Sequence, residues 1–174
     1  IMAGHQAAIA VLAALRHRDA TGEGQYLDIS MVDGLVYALE NAIVRYSVEG
    51  TTPQPLGTAH PSITPFQAFR CSDGQWLITP IGNDALWHKF CTAIERKELD
   101  EDPRFETNDL RTQNKDELIP VLQDVFFSDT ADAWLKKLGD AGVPCSPLNT
   151  MDQVAADPGL RYRGAVVEGR MPGY

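Results

Sequence analysis

The chain has 174 residues, 44% of them apolar and 22% charged, with a net charge of −9. That is room for one full domain or pieces of two, in a mix able to build a core rather than stay disordered. The acidic balance argues against nucleic acid or an anionic membrane as partner, since both need clustered Lys and Arg. No apolar run reaches the ~18 residues of a membrane span.

Residues 1–18, IMAGHQAAIAVLAALRHR, predict a helix, with Ile9, Leu12, Ala13 and Arg16 at i, i+3, i+4, i+7. Ala3, Gly4, Ala7 and Ala8 would let it pack closely against a sheet. Its charge sits late, at Arg16 and Arg18, unlike a signal peptide. Gly22 and Gly24 end it. QYLDISM alternates, Leu27, Ile29 and Met31 against Tyr26, Asp28 and Ser30, and predicts a strand. A helix is expected from about Val32 to Val48, with Asp33 suited to its start. Helix, strand, helix is a piece of an α/β layer structure.

Residues 50–64 are rich in Thr, Pro and Gly and predict a linker holding a domain boundary. PFQAFRC and QWLITPI then flank SDG and predict a β-hairpin turning at Asp73-Gly74. Helices follow: one from Asn83 or Asp84, one from Thr107 to Phe127 that Pro120 should kink or split, one capped by Thr130 and ended by Gly142, and one capped by Thr150 and stopped by Pro158. VPCSPLNT reads as a short extended piece and GAVVEG as a last strand. A hairpin followed by helices predicts a small α+β domain over residues 56–155, between a segment 1–55 and a return segment 156–174. The chain opens inside a helical pattern at Ile1 and closes on RMPGY without an element, so both ends are expected to be cuts in a longer protein.

The usual catalytic signatures are missing. TGEGQ precedes a predicted strand and is not a phosphate loop, and no G-x-S-x-G elbow occurs. Cys71, Cys91 and Cys145 are widely separated, with no metal-ligand spacing, and read as free thiols of a reducing, cytoplasmic compartment. His17 and His88 read as surface residues, and Asp100, Glu101 and Asp102 as a solvated run. His5, one turn into the first helix, could face whatever sits at that helix's start. His60, in the polar lead-in GTAHPSITP before the hairpin, is the better candidate, because loops carry function more often than cores do.

Five stretches, in order, resemble the class III CoA-transferases: AIAVLAALRHRDATGEGQYLDISMVDG, GTAHPSITPFQAF with DGQWLITPIGND, DPRFETNDLRTQNKDEL, GVPCSPLNTMDQVAADP and RGAVVE. The resemblance implies an α/β fold, part of a doubly wound large domain with a small α+β domain inserted, and two monomers interlocked as a homodimer. It implies CoA exchange between an acyl-CoA and a free carboxylic acid through an aspartyl-CoA thioester, with coenzyme A as substrate and no metal. The nucleophilic aspartate would stand just before Ile1, so these residues alone should be inactive. Ala3 and Gly4 would sit beside that carboxylate and Met31 near CoA. The loop holding Gly57, His60 and Ser62 would close over the thioester. Formyl-CoA transferase carries a run of glycines there; His60 and Ser62 point instead to larger dicarboxylic or carnitine-type acids. The 2-methylacyl-CoA racemases share the fold and aspartate and are the alternative activity.

Overall fold

A computed structural model describes residues 1–169 and 173, the side chain of Glu40 excepted. The chain divides into two compact units, Ile1–Pro55 and Leu56–Tyr174.

The first unit is helical. α1 (Met2–Thr21) ends where Gly22, at φ +78°, donates its N–H to Arg18 C=O. The strand expected over residues 25–31 does not form. A strand needs a neighbour's backbone to pair with, and this unit offers none among the described residues. Ser30 serves instead as N-cap of α2 (Met31–Ala38), its Oγ accepting the Asp33 N–H at 3.2 Å. The single helix expected from Val32 is broken at Leu39, which adopts φ −95°, ψ 14°, before α3 (Glu40–Glu49). No Gly or Pro marks that break. Gly34 is the buried residue of α2 and lies against the start of α1.

The second unit carries the hydrophobic core. β1 (Phe66–Arg70) and β2 (Trp76–Pro80) pair antiparallel, Phe66 opposite Pro80, and β3 (Ser146–Pro147) adds to the far edge of β2. The hairpin turns as expected, with Gly74 at φ +81°, and Asp73 also accepts the Ala131 N–H at the start of α8. α7 (Lys115–Phe126) packs on β1 and α8 (Ala131–Asp140) on β2 and β3, with α4 (Asp84–Ala93) against α8. Phe126 stands at the centre, 4.7 Å from the Phe69 ring and edge-on to Trp134 at 5.3 Å. Leu77, Ile81, Trp87, Phe90, Leu118, Leu122 and Leu138 are fully buried around it.

Caps fall where the sequence puts them: Asn83, Thr107 and Thr130 each accept an N–H from the first turn of α4, α6 (Asn108–Gln113) and α8. Pro120 does not split its helix. The break comes earlier, at Asn114 between α6 and α7, and Pro120 stands inside α7, where it cannot donate to the Asp116 carbonyl. α5 (Lys97–Glu101) is an extra short helix. Pro158 ends α9 (Met151–Ala156) but also opens α10 (Pro158–Tyr162), as a first-turn proline can. The last expected strand, over residues 164–169, forms turns and irregular backbone, again with no strand beside it among the described residues.

Candidate functional site

In the first unit, the residues expected near the reacting carboxylate gather where α2 meets α1. A Cβ on Gly34 would lie 3.4 Å from Met2 Cβ and 3.6 Å from the Ala3 amide nitrogen. Gly34 sits one turn beyond Met31, so Ala3, Gly4 and Met31 share this end of the pair. Gly4 and His5 are exposed, and Met31 is 75% exposed. α1 begins at Met2, directly after Ile1. A groove of about 470 Å³ runs beside Gln6, Asp28, Ser30, Asp33 and Tyr37. Its two carboxylates oppose a phosphate or an acid.

In the second unit, the loop from Gly57 to Thr64 is held at every turn. Gly57 takes φ +63°, a backbone region open to glycine, and the Ala59 N–H then closes a turn on Leu56 C=O at 3.1 Å. The His60 N–H donates to Phe66 C=O at 2.8 Å, and the His60 ring lies flat on the Phe66 ring, centroids 5.2 Å apart. His60 Nδ1 accepts the Ser62 N–H at 3.2 Å. A nitrogen that accepts carries no proton, so the neutral ring holds its proton on Nε2 and can donate there. Ser62 is exposed and adds a hydroxyl donor on the same loop.

The far side of the loop is clamped by α6. Asn108 Nδ2 donates to Ser62 C=O at 2.8 Å and Oδ1 accepts the Thr64 N–H at 3.1 Å. The amide fits only this way round, since one backbone partner can only accept and the other only donate. Arg111 is fully buried. Its Nε donates to Thr64 C=O at 2.9 Å, one terminal nitrogen to Phe105 C=O at 2.9 Å, and the other to Asp84 Oδ1 at 2.8 Å. The guanidinium lies over the Trp87 ring at 4.9 Å. Asp84 Oδ1 also accepts the Asn108 N–H. The cleft enclosed by the loop, α6 and α7, beside His60, Thr112 and Lys115, measures about 30 Å³, room for a water or two but not for an acid. A ligand of this loop therefore meets its outer face.

Sequence reasoning picked out His60 and Ser62 and passed over Asp84, Asn108 and Arg111. The signal was present in DPRFETNDLRTQN, whose polar residues form one scaffold. The Arg104 guanidinium and backbone N–H bond Asp102, holding that carboxyl below its ordinary range. Asn114 Nδ2 donates to both Arg104 C=O and Leu110 C=O. The thiols lie outside any such arrangement. Burial first, then nearby Asp73 and Asp129, pushes Cys71 up to about 11; burial, with Asp100 next, pushes Cys91 up to about 12; burial also raises Cys145. None is a ready nucleophile. His88 pairs with Asp100 at the surface. Among the described residues no cluster of three or more His, Cys, Asp or Glu side chains could hold a metal ion, and no helix is long and apolar enough to cross a membrane.

The sequence pattern of CoA-transferase family III matches residues 1–173, and the chain belongs to that family. It is 32% identical to the human succinyl-CoA:glutarate CoA-transferase over 94% of its own length and 37% of the relative's. It is 34% identical to the acetyl-CoA:oxalate CoA-transferase of Acetobacter aceti over 94% of its length and 42% of the relative's. Among solved structures, a CAIB/BAIF family protein from Brucella suis aligns with TM-score 0.79 and 36% identity over 94% of this chain and 43% of that one. Rv3272 from M. tuberculosis aligns with TM-score 0.79 and 29% identity over 97% and 44%. The α/β fold expected from the sequence is thus the fold of these structures, and the chain spans about two fifths of its relatives' length.

Proposed function

We propose that the intact protein moves CoA from an acyl-CoA to a free carboxylic acid through an aspartyl-CoA thioester, its aspartate standing immediately before Ile1. The carboxylate attacks the donor thioester carbonyl, the C–S bond breaks, and a mixed anhydride forms. The CoA thiolate then attacks the aspartyl carbon, releasing the donor acid. The acceptor acid repeats the two steps in reverse order, regenerating the aspartate. Donor, aspartyl and product thioesters lie close in energy, and the anhydrides between them split one difficult exchange into easier steps, which is the advantage of a covalent carboxylate catalyst. None of them calls for a metal.

The observation that carries this reading is the family match along the whole chain, together with the similar relatives whose names state CoA transfer between acids. In this reading Ala3 and Gly4 lie beside the aspartate, and the first amides of α1 steady the oxyanion of each tetrahedral intermediate. Met31 borders CoA. The Gly57–Thr64 loop covers the thioester, and the His60 Nε2–H and Ser62 hydroxyl hold the acceptor carboxylate. Glutarate, oxalate and mesaconate in the relatives' names support a dicarboxylic acid as acceptor. The partners are those two substrates and a second, interlocked copy of the protein in the cytoplasm. Residues 1–174 alone turn nothing over.

The test is incubation of the intact protein with succinyl-CoA and each of glutarate, mesaconate and oxalate. New acyl-CoA should appear by chromatography, and hydroxylamine should trap the aspartyl thioester. Epimerisation of a 2-methylacyl-CoA without any CoA transfer would replace this reading with the racemase. Unchanged acid kinetics in His60→Ala would remove the role given to that ring.

A further inference from the structure

We infer that Asn108 is a positioning residue for CoA transfer: its side-chain amide, backed by Asp84 and the buried Arg111 that pairs with it, fixes the loop that presents His60 and Ser62, so the acceptor acid meets a preformed site. This inference rests on the function proposed above. The geometry is that of a backbone substitute. Between Ser62 C=O and Thr64 N–H the loop has one acceptor and one donor facing α6, and Asn108 satisfies both from a single side chain at 2.8 and 3.1 Å. Asn108 is in turn fixed from behind by its own N–H on Asp84 Oδ1 at 3.1 Å, and Asp84 by Arg111 at 2.8 Å. Arg111 reaches the loop directly through Thr64 C=O.

The composition of the anchor favours a positioning role over a purely structural one. A fully buried guanidinium carries a large desolvation cost, and an apolar side chain of similar volume often fills such a site with equal or greater stability. What an apolar side chain cannot do is hold three carbonyls, of Thr64, Phe105 and Glu106, and a carboxylate at fixed angles. The result is a loop in which the His60, Ser62 and Thr64 amides and the Ser62 and Thr64 carbonyls are all bonded. The His60 Nε2–H and the Ser62 hydroxyl are left as donors for a ligand. An acid that binds such a loop need not order it first, which lowers the cost of binding.

The experiment compares the intact wild-type protein with Asn108→Ala and Asn108→Asp. Amide hydrogen exchange of Ser62 and Thr64 reads the clamp without reference to activity, and steady-state kinetics with succinyl-CoA and glutarate read its consequence. Asn108→Ala should speed Thr64 exchange by about tenfold or more while exchange at Leu118 and Leu122 stays unchanged. It should raise KM for the acid at least several-fold, with KM for succinyl-CoA moved far less. Asn108→Asp keeps the acceptor for Thr64 N–H and loses the donor to Ser62 C=O, so Thr64 should stay protected while the acid KM still rises. Unchanged Thr64 exchange in Asn108→Ala would overturn the clamp. Loosened exchange with unchanged acid KM would overturn the positioning role. A wild-type protein that transfers no CoA to any acid would overturn the proposed function and with it the positioning role, while the exchange measurement would still decide the clamp.

Discussion

Arg111→Ala tests how much of the second unit's order hangs on one buried cation. The substitution strips the donors from Thr64 C=O and Phe105 C=O, whose residues are 5% and 3% exposed. Each buried acceptor left unpaired costs ~1–3 kcal/mol. The Asp84 side chain is 50% exposed and rehydrates, so no stranded charge adds to the sum. Removing the guanidinium also opens space over Trp87, and it relieves the cost of having buried the cation. The net expectation is a loss of ~2–4 kcal/mol from the second unit. Arg111→Met fills the space but leaves the carbonyls unpaired and should lose about 1–3 kcal/mol. Urea unfolding followed by tryptophan fluorescence, with amide exchange at Leu118 and Leu122 as a local reading, measures both. A loss under about 1 kcal/mol in Arg111→Ala would refute the reasoning, because the carbonyls would then be satisfied without the arginine.

Three further outcomes follow from other contacts. With burial holding Cys71 and Cys91 at about 11 and 12, neither should react with a thiol reagent near pH 8 in the native protein, while both should react in urea. The same shifts fix a sign: the folded state favours the neutral thiols, so their contribution is complete below the ordinary thiol value of about 8.5 and is lost as pH rises through about 11 and 12; alkaline melts should show it, and Cys91→Ala should blunt it. Thr79→Val removes a buried hydroxyl that donates to Pro144 C=O at 2.9 Å and should cost ~1–2 kcal/mol by urea unfolding. Gly57→Ala forces a side chain into φ +63° and should cost ~1 kcal/mol and weaken acid binding rather than CoA binding.

How much was legible follows from how local each signal is. The Asp73-Gly74 turn, the caps at Asn83, Thr107 and Thr130, and the stop at Gly22 depend on a few neighbouring residues, and all of them form. Strands at 25–31 and 164–169 depend on a partner elsewhere, and period-two alternation cannot supply one. Pro120 is the sixth of the twelve residues of α7, and the break comes at Asn114, so a proline inside a helical pattern does not by itself locate the break. His60 stood out as a polar residue in a loop, and Ser62 came with the family resemblance. Arg111 did not, because a lone arginine between Leu110 and Thr112 on a short helix reads as solvent-facing until the Trp87 ring and the Thr64 carbonyl are seen around it.

The two units also differ in how far their own residues account for them. Every buried hydrophobic residue of the described chain lies in the second unit, while α1, α2 and α3 expose Ile9, Leu12, Val32, Leu35, Tyr37, Ile43 and Val48. Apolar stripes of that extent are surfaces shaped to be covered, and the periodicity that predicted those helices records the need for a partner without naming it. The loop at Gly57–Thr64 has no such debt. The Ala59, His60 and Thr64 amides and the Ser62 and Thr64 carbonyls bond to Leu56, Phe66, Asn108 and Arg111, all within the second unit, so the donor pair at His60 and Ser62 is held by residues of that unit. The reacting carboxylate of the proposed mechanism belongs with the first kind of surface and the acid-holding loop with the second. Substitutions at Asn108 or Arg111 should therefore shift acid recognition and leave formation of the aspartyl thioester from the donor intact, a separation that hydroxylamine trapping in the absence of any acceptor acid reads directly.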